Sequence, residues 1–235
     1  MNLIEMNSIC KSYRNIGFET KVLKDVTLHI KEGDYVSIIG PSGSGKSTLM
    51  AIMGCLSQPT SGDYILDSEE VGKLNDRKLS RVRNEKIGFV FQAFHLLPGV
   101  TALENVILPF VYAKNPPGNI KERARELLAK VGLEHRLHHT PGQLSGGEQQ
   151  RVTIARSLIN DPRIILADEP TGNLDSKNGI ETMKTFDNLI KEGKTIVLIT
   201  HDSEVAKHAG RIISILDGQI ASDTNVNYEQ QVQSL

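Results

Sequence analysis

Short apolar runs rich in valine and isoleucine recur along the chain, and polar or glycine-containing segments separate them. Five of these runs are nearly continuous in apolarity rather than alternating, which is typical of strands buried on both faces of a sheet. They span residues 35–39, 87–91, 164–167, 195–199 and 212–216. Helical patterns lie between them at residues 46–53, 120–131 and 179–191. This alternation predicts an α/β fold with a largely parallel sheet.

Two parts of the chain depart from the alternation. Residues 3–12 and 22–30 are strand-like and are separated by the polar pair Arg14-Asn15 and by Gly17, so we expect a smaller antiparallel β layer. The segment 94–160 is mostly helical in pattern and contains the breaker cluster Asn115-Pro116-Pro117-Gly118, which favours a helical subdomain inserted in the α/β core. We therefore assign residues 1–93 and 161–223 to the core with its β layer, 94–160 to the helical subdomain, and 224–235 to a polar tail.

Composition narrows the class of protein. The chain has 235 residues, 39% of them hydrophobic, which is enough for one sizeable core with a small attached subdomain. With 27 basic and 28 acidic residues it lacks the basic excess of a nucleic-acid-binding protein. Cys10 and Cys55 have no metal-like spacing and are interpreted as reduced thiols. We find neither a signal-peptide pattern nor an apolar stretch of about 18 residues, so we expect a cytosolic chain that reaches a membrane only by docking on another protein.

Residues 40–48 satisfy the phosphate-loop pattern G-x-x-x-x-G-K-[ST], between a predicted strand and a predicted helix. Its glycines let successive backbone N–H groups point at an anion, and the helix N-terminus adds its positive dipole end. Lys46 would reach the β- and γ-phosphates, and Ser47 would offer its hydroxyl to Mg²⁺. The alternative is a glycine-rich turn before a helix, with no role in binding. The four fixed positions of the pattern would occur by chance in about one per cent or fewer of chains of this length. We predict that ATP is bound by Gly40, Pro41, Ser42, Gly43, Ser44, Gly45, Lys46, Ser47 and Thr48.

Two carboxylates, Asp168 and Glu169, follow the apolar run at 164–167. Ligands of parallel sheets collect at the carboxyl ends of the strands, which places this pair beside the phosphate loop. Asp168 would hold Mg²⁺ through water, and Glu169 is the best candidate general base for an attacking water. An apolar run that ends in Asp-Glu is a weak signal alone, and its value comes from the phosphate loop.

A second glycine motif, Leu144-Ser145-Gly146-Gly147-Glu148-Gln149-Gln150, precedes a helical pattern. Ser145 and Glu148 have the spacing of a capping box, so a helix N-cap with no further role accounts for part of it. The two glycines leave the helix N-terminus bare of side chains, which suits the close approach of a phosphate. The motif resembles the signature of the ABC ATPase family. That resemblance implies that two subunits pack head to tail, and that Ser145, Gly146, Gly147 and Glu148 of one cap the γ-phosphate bound by the other.

Four further positions match motifs of that family in the right order, and each also has a plainer interpretation. Tyr13 would stack on adenine, unless it packs in the core as a strand tyrosine. Gln92 would contact Mg²⁺ and the attacking water, although a lone glutamine after a strand means little by itself. Asp175, in Asn173-Leu174-Asp175, would belong to the loop that links the two sites of the dimer, act as a helix N-cap, or do both. His201 would contact the γ-phosphate, and its place at a strand end favours this over a structural role.

Residues 94–106 and Arg81-Val82-Arg83 resemble the branch of the family that serves lipoprotein release, macrolide export and antimicrobial-peptide systems. The resemblance implies a homodimeric ATPase that uses ATP and Mg²⁺ at the cytoplasmic face of the membrane and drives conformational change in an integral membrane permease. Phe94, Leu96 and Leu97 would form the groove for the permease's coupling helix, or would pack the helical subdomain; the sequence leaves both open.

Two other classes of function also use a phosphate loop. ABC proteins that act on DNA or ribosomes usually carry long coiled-coil insertions or two ATPase halves, and this sequence has neither. A monomeric kinase or GTPase would need an acceptor site or a guanine-reading motif, and we find none in the sequence. Copurification with a membrane protein would separate the transporter interpretation from the first class, and ATP-dependent dimerisation would separate it from the second.

Overall fold

The computed structural model describes residues 1–15, 18–112 and 118–226. In those residues, ten strands form two sheets, and seven α-helices surround them. The helices are α1 Lys46–Met53, α2 Asp76–Lys86, α3 Ala102–Ile107, α4 Ile120–Lys130, α5 Gly146–Leu158, α6 Ser176–Lys191 and α7 Ser203–Ala206. None of these helices is long and apolar enough to cross a bilayer.

The larger sheet has six strands in the order β10-β9-β3-β8-β7-β6. Five of them run parallel, at Tyr35–Ile39 (β3), Ile87–Phe91 (β6), Ile164–Asp168 (β7), Thr195–Ile199 (β8) and Arg211–Leu216 (β9). The five predicted strands are confirmed, each within one residue at either end. Strand β10, Gln219–Asn225, pairs antiparallel with β9. Strand β10 includes residues 224 and 225, which we had assigned to the polar tail. Residues 227–235 of that tail lie outside the described residues.

The smaller sheet is antiparallel, as expected, with the order β2-β1-β4-β5. Its strands are β1 Asn2–Asn15, β2 Phe18–Lys31, β4 Ser61–Leu66 and β5 Glu69–Glu70. The first two extend beyond the predicted ranges, as far as Asn15 and from Phe18 onward, and Gly17 lies outside the described residues. Strands β4 and β5 and helix α2 have no counterpart in our sequence-based prediction.

The segment 94–160 contains three α-helices and, among its described residues, no strand. Helices α3 and α5 each begin with a capping box, formed by Thr101 with Glu104 and by Ser145 with Glu148. Residues 115–117 of the predicted breaker cluster lie outside the described residues. The helical content agrees with the inserted subdomain that we expected, and the division of the chain into domains stays a prediction.

Hydrophobic residues pack on both faces of the six-stranded sheet. Ile164 and Leu166 of β7 point into one cluster, which includes α1 and the antiparallel layer. Ile165 and Ala167 point into the other, with the helical segment and α6. Because all four are fully buried, β7 has no exposed face, which explains why its sequence is continuously apolar. Packing from both sides fixes the strand and therefore the position of the residues at its end.

Candidate functional site

The ends of four parallel strands meet at one edge of the larger sheet. Register pairs Ile38 with Ile199, Ile199 with Asp168, and Asp168 with Phe91, so the segments that follow β3, β6, β7 and β8 are neighbours. They surround a cavity of about 620 Å³, which we call the phosphate-loop cavity. Its lining residues are Val22, Ser42, Gly43, Gly45, Lys46, Ser47, Thr48, Gln92, Asp168, Glu169, Ile199 and His201.

The loop at residues 40–48 closes tightly around its own lysine. The Lys46 ammonium donates to the carbonyl oxygens of Gly40 (2.8 Å) and Pro41 (2.9 Å). A Cβ on Gly40 would lie 2.2 Å from the Ile215 carbonyl oxygen, so only glycine fits there. Gly45 precedes α1 with φ +107° and offers no side-chain cap. The first N–H groups of α1 therefore remain open toward the cavity, as anion binding at a helix N-terminus requires.

Asp168 and Glu169, at the end of β7, both line the phosphate-loop cavity. Burial, and next the charge of Glu169, raise the pKa of Asp168, and Lys46 opposes that rise. Glu169 has φ +45°, which is unusual for a residue with a side chain, and its N–H donates to the Ile199 carbonyl (2.8 Å). This sharp turn brings the Glu169 carboxylate into the cavity beside the end of β8.

The Glu169 carboxylate contacts two residues that follow β8. Its Oε1 lies 2.7 Å from Nδ1 of His201, and its Oε2 accepts from the Thr200 hydroxyl at 3.4 Å. The hydrogen bond to Glu169, and next the Glu169 charge, raise the pKa of His201 above its ordinary value. The His201 side chain is 73% exposed, whereas that of Glu169 is 18% exposed. The ring is thus held by the carboxylate at one edge and open to solvent at the other.

Gln92 connects the cavity to the segment before α6. Its side-chain NH₂ lies 3.4 Å from Oδ1 of Asn173, and the Asn173 amide donates to the Gln92 carbonyl (2.9 Å). Asp175 is the N-cap of α6 and accepts from the backbone N–H of Asn178 (2.9 Å). That hydrogen bond is the largest cause of the lowered pKa of Asp175. The N-cap interpretation of Asp175 is confirmed, and its role between two subunits stays a prediction.

The signature motif lies apart from the phosphate-loop cavity. Ser145 caps α5, and Glu148 completes the capping box and pairs with Arg136 (2.9 Å). No residue from 145 to 148 is among those that line the cavity. The two glycines differ: a Cβ on Gly146 would meet only ordinary contacts, but one on Gly147 would lie 2.1 Å from Oδ1 of Asn178. Gly147 is therefore required by its own chain, whatever else approaches the helix end.

Tyr13, on β1, also lies outside the lining of the cavity. Its side chain is exposed, and the Lys11 ammonium stands 5.1 Å from the ring centroid, within cation–π range. The alternative that Tyr13 packs in the core is wrong, because the residue is 46% exposed. An exposed ring of this kind is free to stack on a flat ligand.

Comparison with known proteins identifies the family. The model of the family described as "ABC transporter" matches residues 23–172. The chain belongs to the ABC transporter family. As a member of it, the chain is an ATP-binding protein and an ABC-type ATPase.

Relatives with assigned names are similar over nearly the whole chain. An uncharacterised ABC transporter ATP-binding protein of Thermotoga maritima is 53% identical over 93% of both chains. The uncharacterised ABC transporter ATP-binding protein YvrO of Bacillus subtilis is 52% identical over 94% of this chain and 96% of YvrO. The macrolide export ATP-binding/permease protein MacB of Escherichia coli is 51% identical over 94% of this chain. The match covers only 34% of that MacB, so this chain spans about a third of its length.

A solved structure has the same architecture. The ATP-binding cassette MJ0796, in a dimeric post-hydrolysis state bound to ADP and Pi, superposes with a TM-score of 0.86 at 45% identity. The superposition covers 95% of this chain and 99% of that one. The fold predicted from the sequence, a phosphate-loop NTPase core with an antiparallel layer and helices, is confirmed by this likeness.

The donors for a divalent cation suit magnesium. Ser47, Gln92 and Asp168 bring a hydroxyl, an amide oxygen and one carboxylate to the same cavity, and Mg²⁺ prefers such oxygen ligands. Within residues 1–15, 18–112 and 118–226, no group of three or more His, Cys, Asp or Glu side chains could hold a metal. Mg²⁺ that binds with nucleotides commonly takes one or two carboxylates together with phosphate oxygens, and the three side chains named here fit that kind of site.

Arg156 and Gln150 of the signature helix α5 were given no role from the sequence. Arg156 donates to the carbonyls of Phe94 (2.8 Å) and His95 (2.6 Å), both of which have φ +51°. Burial lowers the pKa of this guanidinium. Gln150 is fully buried beside the strand ends. Neither has a local sequence signal, because a polar residue in an amphipathic helix is ordinarily read as exposed.

The apolar segment after Gln92 is divided between core and surface. Leu96 packs against the hydrophobic cluster of the helical segment, which supports the packing alternative at that position. Leu97 is 45% exposed and remains available to a partner. A larger cavity, of about 1,750 Å³, lies between α6, α7 and the β9–β10 edge, and it contains no residue of the phosphate loop.

Proposed function

We propose that this chain is the ATP-hydrolysing subunit of a membrane transport system of the exporter or mechanically coupled type, and that it works as a head-to-tail homodimer. The composition of the phosphate-loop cavity carries the proposal. Lys46, Asp168, Glu169 and His201 line it together, whereas no signature residue does. A cavity with groups for phosphate binding and proton transfer, but without the signature, is half of a site.

ATP would bind with its adenine on the exposed ring of Tyr13 and its phosphates in the loop at residues 40–48. The open N–H groups at the start of α1 support phosphate binding, because they have no side-chain cap. Lys46 is already aimed into the loop by Gly40 and Pro41, and its ammonium would transfer those contacts to phosphate oxygens. Ser47, Gln92 and Asp168 would hold Mg²⁺, which neutralises phosphate charge when bound.

Glu169 would accept a proton from the attacking water. Its carboxylate is mostly buried yet reaches the cavity, and the contacts with His201 and Thr200 fix its orientation. His201, held through Nδ1, presents its other edge outward, where it would donate to the γ-phosphate. Glu169 would thus be a general base whose orientation is fixed by His201, and general base catalysis needs such a positioned side chain.

A second copy of the chain would complete each site. Ser145, Gly146 and Gly147 form a capped helix start whose backbone donors suit a phosphate, and they stand away from their own chain's cavity. Asp175 lies two residues after Asn173, which contacts Gln92. A movement of the segment before α6 in one subunit would therefore displace Gln92 in the cavity of the same subunit, and Asp175 would couple that movement to the second site. The dimeric state of the MJ0796 cassette supports this assembly.

The membrane partner is inferred from relatives. MacB is named as one protein with ATP-binding and permease functions, and this chain covers only about a third of it. We propose that the chain works with an integral membrane permease and docks on it at the cytoplasmic face of the membrane. Leu97, which is exposed and lies five residues after Gln92, would contribute to the docking surface.

Replacement of the base tests the hydrolytic site. Glu169→Gln should keep ATP binding, reduce turnover by at least about a hundredfold, and trap an ATP-bound dimer visible by analytical ultracentrifugation. Glu122→Gln is the matched control, since that carboxylate is exposed on α4. Normal hydrolysis by Glu169→Gln would remove Glu169 from the assigned role.

A second pair of variants tests the contribution of the partner's signature. Ser145→Ala and Thr101→Ala each break a capping box, and each should cost about 1 kcal/mol of stability. Only Ser145→Ala should also slow hydrolysis, because only that cap would face a neighbour's nucleotide. Equal rates for the two variants would argue against a shared site, and failure of the chain to copurify with any membrane protein would argue against the transport role.

A further inference from the structure

One buried amide joins the signature helix to both strand-end segments that frame the phosphate-loop cavity. The Gln150 side chain has no exposed surface. Its NH₂ group donates to the carbonyl of Pro170 (2.8 Å) and, over a longer distance, to that of Phe91 (3.4 Å). Its oxygen lies 3.1 Å from the Thr153 hydroxyl, one turn further along α5, and that hydroxyl also lies 2.8 Å from the Gln150 backbone carbonyl. Both donors of the amide therefore point at strand-end carbonyls, and its oxygen faces a hydroxyl of its own helix.

The two carbonyls flank the residues assigned to chemistry. Pro170 follows Glu169 directly, in a tight turn closed by the Gly172 N–H on the Glu169 carbonyl (3.0 Å). Phe91 directly precedes Gln92 at the end of β6. Because Glu169 is held at φ +45°, the placement of the turn that follows it helps to determine where its carboxylate points. The Pro170 carbonyl belongs to the Pro170–Thr171 peptide of that turn, so the Gln150 amide holds the second peptide after the proposed base and the peptide directly before the proposed water ligand.

We propose that Gln150 is a positioning residue that couples the signature helix to the hydrolytic groups of the same chain. Ser145 is the N-cap of α5, and Gln150 lies on the same helix less than two turns further along. A shift of the helix start against a neighbouring subunit's nucleotide would therefore be transmitted through the amide to the Glu169 and Gln92 segments. This inference rests on the proposed head-to-tail site. It adds that the Gln150 amide transmits a movement of the signature at one nucleotide site to the hydrolytic groups of the other site.

The neighbouring glutamine offers a matched comparison. The Gln149 amide also donates to two carbonyls, those of Pro141 (3.1 Å) and Leu144 (3.2 Å). Both acceptors belong to the helical segment itself and not to the strand ends. Loss of either amide removes a donor from two carbonyls, and in each pair one carbonyl keeps a backbone donor: Leu144 N–H on Pro141 (3.1 Å) and Phe94 N–H on Phe91 (3.4 Å). The costs in stability should therefore be similar. Only loss of the Gln150 amide should disturb the geometry at Glu169.

The kinetic test compares Gln150→Met with Gln149→Met in the purified full chain. We expect Gln150→Met to lower kcat at least about tenfold while KM for ATP changes by less than about twofold, since small displacements of a reacting group reduce the rate more than binding. Gln149→Met should change both constants by less than about twofold. A wild-type kcat for Gln150→Met, or equal losses of kcat in both variants, would overturn the proposal.

A second variant keeps the test decisive if methionine at this position prevents folding. Gln150→Glu preserves the shape but, when ionised, replaces the donor with a carboxylate facing two carbonyls. Burial raises the pKa of such a carboxyl, and its protonated form regains one O–H donor for Pro170. The activity of Gln150→Glu relative to wild type should therefore rise as the pH falls from about 8 to about 6. A flat ratio would contradict positioning by hydrogen bonding.

Glu169→Gln, measured in the same assay, separates this inference from the proposed function. If Glu169→Gln is inactive and Gln150→Met is fully active, the positioning role fails and the hydrolytic site stands. If Glu169→Gln is fully active, Glu169 is not the base. A lowered kcat in Gln150→Met, with Gln149→Met at the wild-type rate, would in that case still show that the Gln150 amide is needed for the normal rate of hydrolysis.

Discussion

Alanine at the two adjacent glycines of the signature motif should have opposite effects on stability. Neither Gly146 nor Gly147 has a positive φ, so the backbone itself accepts alanine at both positions. On Gly146 the added methyl would sit 3.4 Å from a Leu174 methyl, an ordinary contact. On Gly147 it would lie 2.1 Å from Oδ1, 2.5 Å from Cγ and 2.8 Å from Cβ of Asn178. Rotation of the Asn178 side chain cannot clear its own Cβ, so the first turn of α6 has to move.

The magnitudes follow from two opposing terms. Replacing glycine by alanine in a helix gains up to about 1 kcal/mol, and less near the N-terminus. Overpacking of a tight contact costs about 1–3 kcal/mol. Displacing Asn178 would also break its hydrogen bond to Asp175 (2.7 Å). Gly146→Ala should therefore be neutral or slightly stabilising, and Gly147→Ala should be less stable than Gly146→Ala by about 2 kcal/mol, or about 4–8 °C in Tm for a chain of this size.

Thermal and urea unfolding of the two variants measure that difference. Equal melting temperatures would show that the contact with Asn178 does not determine the choice of glycine at 147. Hydrolysis is the second readout: if the helix start receives a neighbour's phosphate, Gly146→Ala should lose at least about tenfold in rate without any loss of stability. A stable Gly146→Ala variant with the wild-type rate would refute the need for a bare helix end.

Three further substitutions probe other parts of the structure. Tyr64→Phe removes a buried hydrogen bond to the Met53 carbonyl (2.6 Å) and should cost about 1–2 kcal/mol in urea unfolding without changing ATP hydrolysis; no loss would mean that this carbonyl finds another donor. Asp187 raises the pKa of His208 above its ordinary 6.5. The stability from this pair is therefore complete below that value and is lost as the pH rises through the raised pKa, so the Tm gap between wild type and His208→Gln should narrow from about pH 6 to about pH 9. Arg156→Met leaves its two backbone acceptors unpaired and should cost about 2–3 kcal/mol, and a variant as stable as wild type would contradict that.

The sequence predicted the parallel strands well because the central strands β7 and β8 are buried on both faces. Residues 164–167 illustrate this, since continuous apolarity leaves only a buried strand or a short buried helix, and flanking helical patterns decide between them. Helix α2, Asp76–Lys86, was missed because only Leu79 and Val82 face the core. Strand β5 has just two residues, which is too short for any periodic pattern.

The candidate site was predicted less completely than the fold. Motifs located the residues at the strand ends, because parallel strands bring their carboxyl ends to one edge. They gave no indication of the contact between Gly147 and Asn178, nor of the amide of Gln150 beside Pro170. Such contacts join segments that are distant in sequence, and no local pattern encodes the distance between two side chains.

The backbone conformation of Glu169, the proposed catalytic base, cannot be predicted from the local conformational preference of its residue type. A residue with a side chain pays about 1 kcal/mol or more to adopt φ +45°, and a strand end optimised for stability alone would place glycine there. The surrounding structure offsets that cost with the bond from the Glu169 N–H to Ile199 and the turn bond from Gly172. Strand β7, packed from both sides, cannot shift to relieve the strain. The carboxylate is thus held in the cavity by the whole sheet, so its placement depends on residues that carry no motif of their own.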